Sequence, residues 1–529
     1  MGRRALKTLT HYGIWQFFFV GIILYIAAPY LANLAVKYLY FKYVEIEDII
    51  PMAVYCLLAI VFVAIVYLYE RSTIYTDKTH GRKYGPDHAK YKRSWAELVD
   101  YFKDADPYKI NPETLPKEIW EQAEGVILGK VGPRLVKRSS AGVGNLASFG
   151  LPGSGKTKSQ IAPTAARFAG SCLVFDIKGD ILSKTRHFRK KIKIFSPGNP
   201  ENSCHFNPLY GIQEMSLSKR DKYIQKMAAI IIKEEPKDPF FYRGARAFFS
   251  GIFLYTLSRN VGTSFPEIIK MIISGNAVDW VMEIRESACT EAQAYTNSFY
   301  GTNEKNVAGC YQHLCDAVRI YGLGDMAMLL DGKGDCISAA ALEDGYDVYL
   351  EIPQDEIITL APITNVIVEN ITTAFMKRPD NSSDIGNLPI LIMLDEFPQL
   401  NFDLQSLLSG MQTLRSKDVS YFLAMQSVSS LSDRYGDDGF RQVIDACAYI
   451  SVMSAQDPKS REYFQKLIGT KKILRVSNSE NGNASSRSIQ ETREPIFQAE
   501  DFGNLNGQVV IVANGKYIIA DKTWFDDEK

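Results

Sequence analysis

Two stretches near the start of the chain carry no charge at all: Gly13–Val36, 24 residues, and Ile49–Tyr69, 21 residues. Each is long enough to cross a bilayer as a helix, which takes about 20 apolar residues. A cleaved signal peptide has a shorter apolar region, and buried helices of a soluble domain are rarely charge-free over such lengths, so both are read as membrane spans. After them the pattern changes. Tyr75–Pro133 is polar and mixed and reads as a juxtamembrane linker. Short apolar runs then come in two blocks. The first holds Asn145–Phe149, Ser171–Asp176 and Ile192–Phe195; the second holds Asp347–Ile352, the run ending at Leu394, Val419–Met425, Tyr449–Met453 and Gln508–Ala513. Helical stretches separate many of them, and alternation of this kind predicts a parallel sheet covered on both faces. Between the blocks, roughly Gly211–Ala340, no strand run occurs, and stretches such as "FYRGARAFFSGIFLYTL" read as helices. The expected organisation is a two-span anchor (1–74), a linker (75–133), an α/β domain in two pieces (134–210 and 341–529) and an all-α domain inserted between them (211–340). Ser477–Ser488 is too poor in apolar residues to pack and reads as a polar loop or disordered segment.

Charge adds orientation. Arg3, Arg4 and Lys7 precede the first span, the stretch between the spans balances two lysines against Glu45, Glu47 and Asp48, and Glu70–Arg93 holds seven basic residues and three acids. Positive flanks stay inside, so both termini are expected in the cytoplasm of a multi-pass inner-membrane protein. The formal net charge of the 529-residue chain is zero, which removes any argument from overall charge for nucleic-acid binding. One local cluster, Ser183–Lys193, carries six Lys/Arg and no acid; it suits phosphate backbones or a solvated helix end equally well. The eight cysteines show no paired C-x-x-C spacing. Cys310 and Cys315 with His313 between them have no second half-site, so core thiols are expected.

The chemistry sits in "GLPGSGKTKS", Gly150–Ser159. Gly150, Gly155, Lys156 and Thr157 meet the G-x-x-x-x-G-K-[ST] spacing, and Gly150, Gly153 and Gly155 let the backbone curl its N–H groups inward. Gly150, Gly153, Ser154, Gly155, Lys156, Thr157 and Lys158 are the candidate nucleotide contacts. Lys156 would reach the β and γ phosphates of ATP and Thr157 would complete the shell of Mg²⁺. A second motif, "LPILIMLDEF", ends a buried strand at Asp395 and Glu396. Asp395 is the candidate second holder of the metal and Glu396 the candidate polariser of the attacking water. Gln426 ends the next strand, where an amide can sense the γ-phosphate or position water. Arg415 precedes that strand; in ring ATPases an arginine there can reach the neighbour's nucleotide. The catalytic candidates are therefore Glu396, Gln426 and Arg415, and the metal candidates Thr157 and Asp395.

The order of two spans, "GLPGSGKT", "VFDIKGDI", "CHFNPL", "DPFFYRGARAFFSGI", "LIMLDEFPQL", "LAMQSVSSL" and a closing "EPIFQAEDFGNLNGQVVIVANGKYIIADKTWF" resembles the type IV coupling proteins, the membrane ATPases of conjugation and type IV secretion. The resemblance implies a RecA-like P-loop domain with an inserted helical domain, and a homo-hexameric ring beneath an inner-membrane stem. It also implies partners: a relaxase with its attached single-stranded DNA, and the components of the secretion channel. By motif, Lys156, Thr157, Asp395, Glu396 and Gln426 match the family's catalytic positions, Arg415 matches its trans-acting arginine, and Asp176, Lys178 and Asp180 match a motif of less defined role. Two departures stand out. Gly144, Asn145 and Leu146 occupy the region where the family often carries an arginine, with Arg138 further back, and the acidic tail is reduced to Asp526, Asp527 and Glu528. Two other functions fit parts of the pattern. A DNA pump of chromosome segregation or sporulation would add a winged-helix reader, of which nothing is visible after Ala513. A substrate receptor that does not hydrolyse ATP would not need Lys156, Asp395 and Glu396 together.

Overall fold

Strands buried on both faces alternate their side chains between two cores. In β4 (Ser171–Asp176), Cys172 and Val174 enter one apolar cluster while Leu173 and Phe175 enter the other. In β7 (Ile390–Leu394), Leu391 and Met393 share the first cluster and Ile390, Ile392 and Leu394 the second. The computed structural model describes residues 124–525, apart from 133, 139, 235–238, 382–385, 401 and 482–483, together with Lys109. All of these lie in the second of the chain's two units, Asp100–Lys529. The spans Gly13–Val36 and Ile49–Tyr69, most of the linker 75–133 and the tail acids lie outside the described residues.

One sheet organises the described residues. The remaining strands are β1 (Val126–Val131), β2 (Arg134–Arg138), β3 (Leu146–Phe149), β5 (Ile192–Phe195), β6 (Asp347–Glu351), β8 (Val419–Met425), β9 (Tyr449–Val452), β10 (Thr470–Asn481), β11 (Ala484–Pro495), β12 (Gln508–Ala513) and β13 (Lys516–Asp521). Their order across the large sheet is β2-β1-β13-β12-β9-β3-β8-β7-β4-β6-β5. From β9 to β5 every pairing is parallel. From β12 to β2 every pairing is antiparallel. The sheet thus begins inside the stretch read from sequence as linker, because β1 and β2 fold back against β13.

The helical stretch keeps its own packing. Helices Leu217–Ile231, Pro239–Arg259, Phe265–Ser274, Ala277–Glu286, Thr290–Thr296, Glu304–Gly322 and Gly324–Leu329 follow one another. The helix Pro239–Arg259 lies at their centre: Phe248 stacks on Phe299 at 4.4 Å, and Phe249 on Phe253 at 4.2 Å. The chain leaves the sheet and returns to it side by side. His205 N donates to Asp335 O (2.7 Å) and Ile337 N to His205 O (2.8 Å), a parallel bridge between His205 and Cys336. Among the described residues one helix, Ile357–Phe375, is long and apolar enough to cross a membrane, but 67% of its most apolar window is buried inside the protein.

Two further readings from sequence change, and one holds. Ser477–Ser488, apart from 482–483, is not a polar loop: it lies in a two-stranded antiparallel hairpin, β10 with β11, paired from Thr470↔Pro495 to Asn481↔Ala484. Backbone pairing satisfies its peptide groups. The basic cluster Ser183–Lys193 is largely structural. Arg189 pairs with Asp347 and donates to the carbonyls of Phe168 and Gly170, Lys184 pairs with Asp180, and Lys193 pairs with Asp335. Lys191 donates to Asp344 O at 2.9 Å. Cys310 and Cys315 lie on the buried side of Glu304–Gly322, while His313 sits against the rings of Phe241 and Tyr242.

Candidate active site

The C-terminal ends of five parallel strands meet at one edge of the sheet, where ligands bind in open α/β folds. Register fixes their level. Phe149 pairs with Met425, Leu423 with Leu394, Leu394 with Phe175, and Asp176 with Glu351. The residues that follow these ends are therefore neighbours although distant in sequence: Gly150 after β3, Gln426 after β8, Asp395 and Glu396 after β7. Strand β8 lies between β3 and β7, so Gln426 stands between the loop and the two acids.

The loop is built for close approach. Gly153 and Gly155 have φ of 77° and 97°, values that L side chains rarely adopt. A Cβ on Gly150 would strike Ser154 Oγ. After the loop, Thr157–Ile161 forms a π-helical turn that continues into the helix Ala162–Arg167. Gln160 pins this turn to the sheet: it accepts from Ser148 Oγ (2.9 Å) and donates to Leu128 O and Ser451 Oγ (both 2.7 Å). At the other end of β3, Asn145 donates to Met411 O and Ala446 O (both 2.9 Å) and accepts from Tyr421 N (3.0 Å). Neither residue's role was legible in the sequence, since each joins segments hundreds of positions apart.

Lys156 is buried and donates to Gly150 O. Burial lowers its pKa, and the charges of Glu396 and Asp395 oppose that shift. Thr157 Oγ1 donates to Asp395 Oδ2 at 3.2 Å, and Gln426 Nε2 donates to Glu396 Oε2 at 3.1 Å. Glu396 holds a left-handed backbone, φ 49°, and its N–H donates to Asp395 Oδ1 at 3.0 Å. Strain of this kind persists where surrounding structure enforces it. Burial, with the charge of Glu396 second, pushes Asp395 up to about 6. Asp176 is also pushed up to about 6, chiefly by burial and against a bond from Leu182 N; nearby Asp180, Glu351 and Asp395 add to the shift. Its Oδ2 accepts from Leu182 N at 2.7 Å, while its Oδ1 is buried without a partner.

The donor set fits a phosphate chain and a hard divalent cation. Ser154 Oγ is buried and unpartnered within the loop, an ammonium faces the same loop, and a hydroxyl and a carboxylate 3.2 Å apart supply oxygens. Lys158 is exposed on the first turn. The structure brings together the loop, Asp395, Glu396 and Gln426. It does not bring Arg415 to them. Arg415 lies in the turn Leu414–Lys417 before β8, at the opposite edge of the sheet, beside Gly144. It is exposed, and among the described residues its guanidinium makes no hydrogen bond or ion pair.

Residues 117–529 match the family described as Type IV secretory system Conjugative DNA transfer. The conjugal transfer protein TraG of Escherichia coli is 21% identical over 382 residues, 66% of this chain and 60% of TraG. Protein VirD4 of Rhizobium rhizogenes is 22% identical over 329 residues, 60% of this chain and 48% of VirD4. The chain thus spans between about half and three-fifths of these curated relatives. Among solved structures, the bacterial conjugative coupling protein TrwB lacking its N-terminal segment superposes with a TM-score of 0.60 at 17% identity, covering 78% of this chain and 92% of that one. TrwB in complex with ADP and Mg²⁺ gives 0.59 at 18% identity over 78% and 92%. These matches and the mixed sheet give the described residues a RecA-like NTPase fold.

Proposed function

The chain belongs to the type IV secretory system conjugative DNA transfer family, and from that premise we propose that it is a membrane-anchored ATPase of type IV coupling. It hands a relaxase with its attached single-stranded DNA to a secretion channel. The observation that carries this reading is the convergence of Lys156, Thr157, Asp395, Glu396 and Gln426 on one sheet edge. The division into a two-span inner-membrane anchor with cytoplasmic termini, a linker, a split ATPase domain and a helical domain belongs to the same proposal, as does assembly into a hexamer.

In this reading the loop N–H groups and Lys156 hold the ATP phosphates. Thr157 and Asp395 would hold Mg²⁺, which when bound offsets charge on the β and γ oxygens. Glu396 takes a proton from water as its oxygen attacks the γ-phosphorus, and ADP leaves. The Gln426 amide, donating to Glu396, fixes which carboxylate oxygen faces that water. A change at the γ-phosphate is thereby passed to β8, at whose far end Arg415 stands. Arg415 completes the neighbouring subunit's site.

The test is hydrolysis by the full-length protein in detergent, alone and with single-stranded or duplex DNA. Single-stranded DNA should stimulate turnover. Glu396→Gln should keep ATP·Mg²⁺ binding and lose about 10²-fold or more of hydrolysis. ATP binding without turnover under any of these conditions would leave a receptor rather than a motor.

A further inference from the structure

After β13 the chain does not leave the sheet freely. Lys522 and Thr523 are buried, and Lys522 N donates to Gly507 O at 2.8 Å. The next residue, Trp524, reaches the phosphate loop. A Cβ built on Gly155 would lie 3.1 Å from Trp524 Cη2 and 3.2 Å from Cζ3. The six-membered ring of the indole thus rests on the face of the glycine that precedes Lys156. Trp524 keeps 37% of its surface open. Phe525 then packs edge-on against Phe188 at 5.3 Å, which ties the segment down beyond the indole. A second observation lies beside the first: Thr523 Oγ1 is buried and has no hydrogen-bond partner, an arrangement proteins avoid unless another group supplies the bond.

We propose that Trp524 is the base platform of the nucleotide site, the surface on which the purine ring of ATP stacks. This rests on the reading of Gly150–Thr157 as a phosphate loop. The argument is one of reach. A nucleotide's base is tethered to its α-phosphate through a single ribose, so it meets only surfaces close to the loop. A half-open indole in contact with a loop glycine is such a surface. It offers a flat, polarisable face and stacks without reading base edges. Gly155 is required twice over, for its φ of 97° and for the ring that lies on it.

The full-length protein in detergent is titrated with ATP·Mg²⁺ and, separately, with inorganic tripolyphosphate·Mg²⁺, which has phosphates and no base. Trp524→Ala and Trp524→Leu should weaken ATP binding about 5- to 150-fold, the range found for losing one base–aromatic stack. Tripolyphosphate affinity should change less than about twofold, because leucine and alanine leave the loop intact. Trp524→Phe should recover most of the loss, and ATP but not tripolyphosphate should quench the fluorescence that Trp524→Phe removes. Unchanged ATP affinity in the Ala and Leu variants would overturn the proposal. So would tighter binding of both ligands, which would make the indole a lid, or equal loss of both ligands in the Ala, Leu and Phe variants, which would make it a strut for the loop. Failure of the unaltered protein to bind ATP would instead overturn the phosphate-loop reading, and this inference with it.

Discussion

Asp176, at the end of β4, shows how a single side chain can cost the fold something. Its carboxyl is buried, one oxygen holds Leu182 N, and the other has no partner. Its folded pKa is about 6, above the unfolded value of about 3.9. A carboxyl raised on folding binds more protons when folded, so its contribution favours the fold most at low pH and is lost as pH rises through about 6. Asp176→Asn cannot ionise. Its melting temperature should match that of the unaltered protein near pH 4 and exceed it by an amount that grows up to pH 6 and then levels off, expectations set by those two pKa values. Thermal unfolding across that range checks this, and parallel curves would remove Asp176 as a source of the slope. The motif around Asp176 was visible in the sequence. The orphan oxygen was not, because it depends on three strands ending at one level.

At the scale of elements, legibility followed burial. The interior strands β4, β7 and β8 read directly as apolar runs, since both their faces are covered. Of the antiparallel flank, β12 read in the same way, while β1, β2 and β13 did not. Strands β1 and β2 carry Lys130, Arg134, Lys137 and Arg138, and β13 begins and ends in charge, so their apolar runs are short although their inward side chains are buried. The hairpin of β10 and β11 escaped notice because its pairing lies in the backbone. The helices behave like the interior strands, and their packing is tight enough to test. A Cβ on Gly244 of the helix Pro239–Arg259 would press on Cys310 Sγ and lie 2.8 Å from Cys310 Cβ. Gly244→Ala should therefore destabilise the protein by about 1–3 kcal/mol despite its better helix propensity. Denaturant unfolding measures it; a stabilised variant would mean that the helix Glu304–Gly322 yields easily.

At the scale of the whole molecule, Lys156 and Arg415 stand at opposite edges of the sheet, separated by the length of β8, about 20 Å at 3.3 Å per residue. Within one subunit they do not meet. If Arg415 acts on a γ-phosphate, that phosphate belongs to another copy, and contacts of this head-to-tail kind close into rings. Oligomers of Arg415→Ala should bind ATP and barely hydrolyse it. Mixed with Lys156→Ala subunits, they should regain activity at intermediate ratios, where some interfaces join an intact Arg415 to an intact Lys156. Activity flat at background, with mixed assembly verified by cross-linking, would confine Arg415 to its own subunit. The sequence read Arg415, through its resemblance to the family's trans-acting arginine, as reaching the neighbour's nucleotide; the sheet adds that a whole strand separates it from its own subunit's loop. The bridge between His205 and Cys336 has a consequence of a different sort. The two crossings lie one strand spacing apart, about 5 Å, so the sheet asks of everything between them only that it begin and end side by side. The helical stretch is in that sense a cartridge. Any replacement must also keep the face that Leu217–Ile231 sets against Ile357–Phe375, where Asn370 donates to Tyr223 and Lys226 pairs with Glu369.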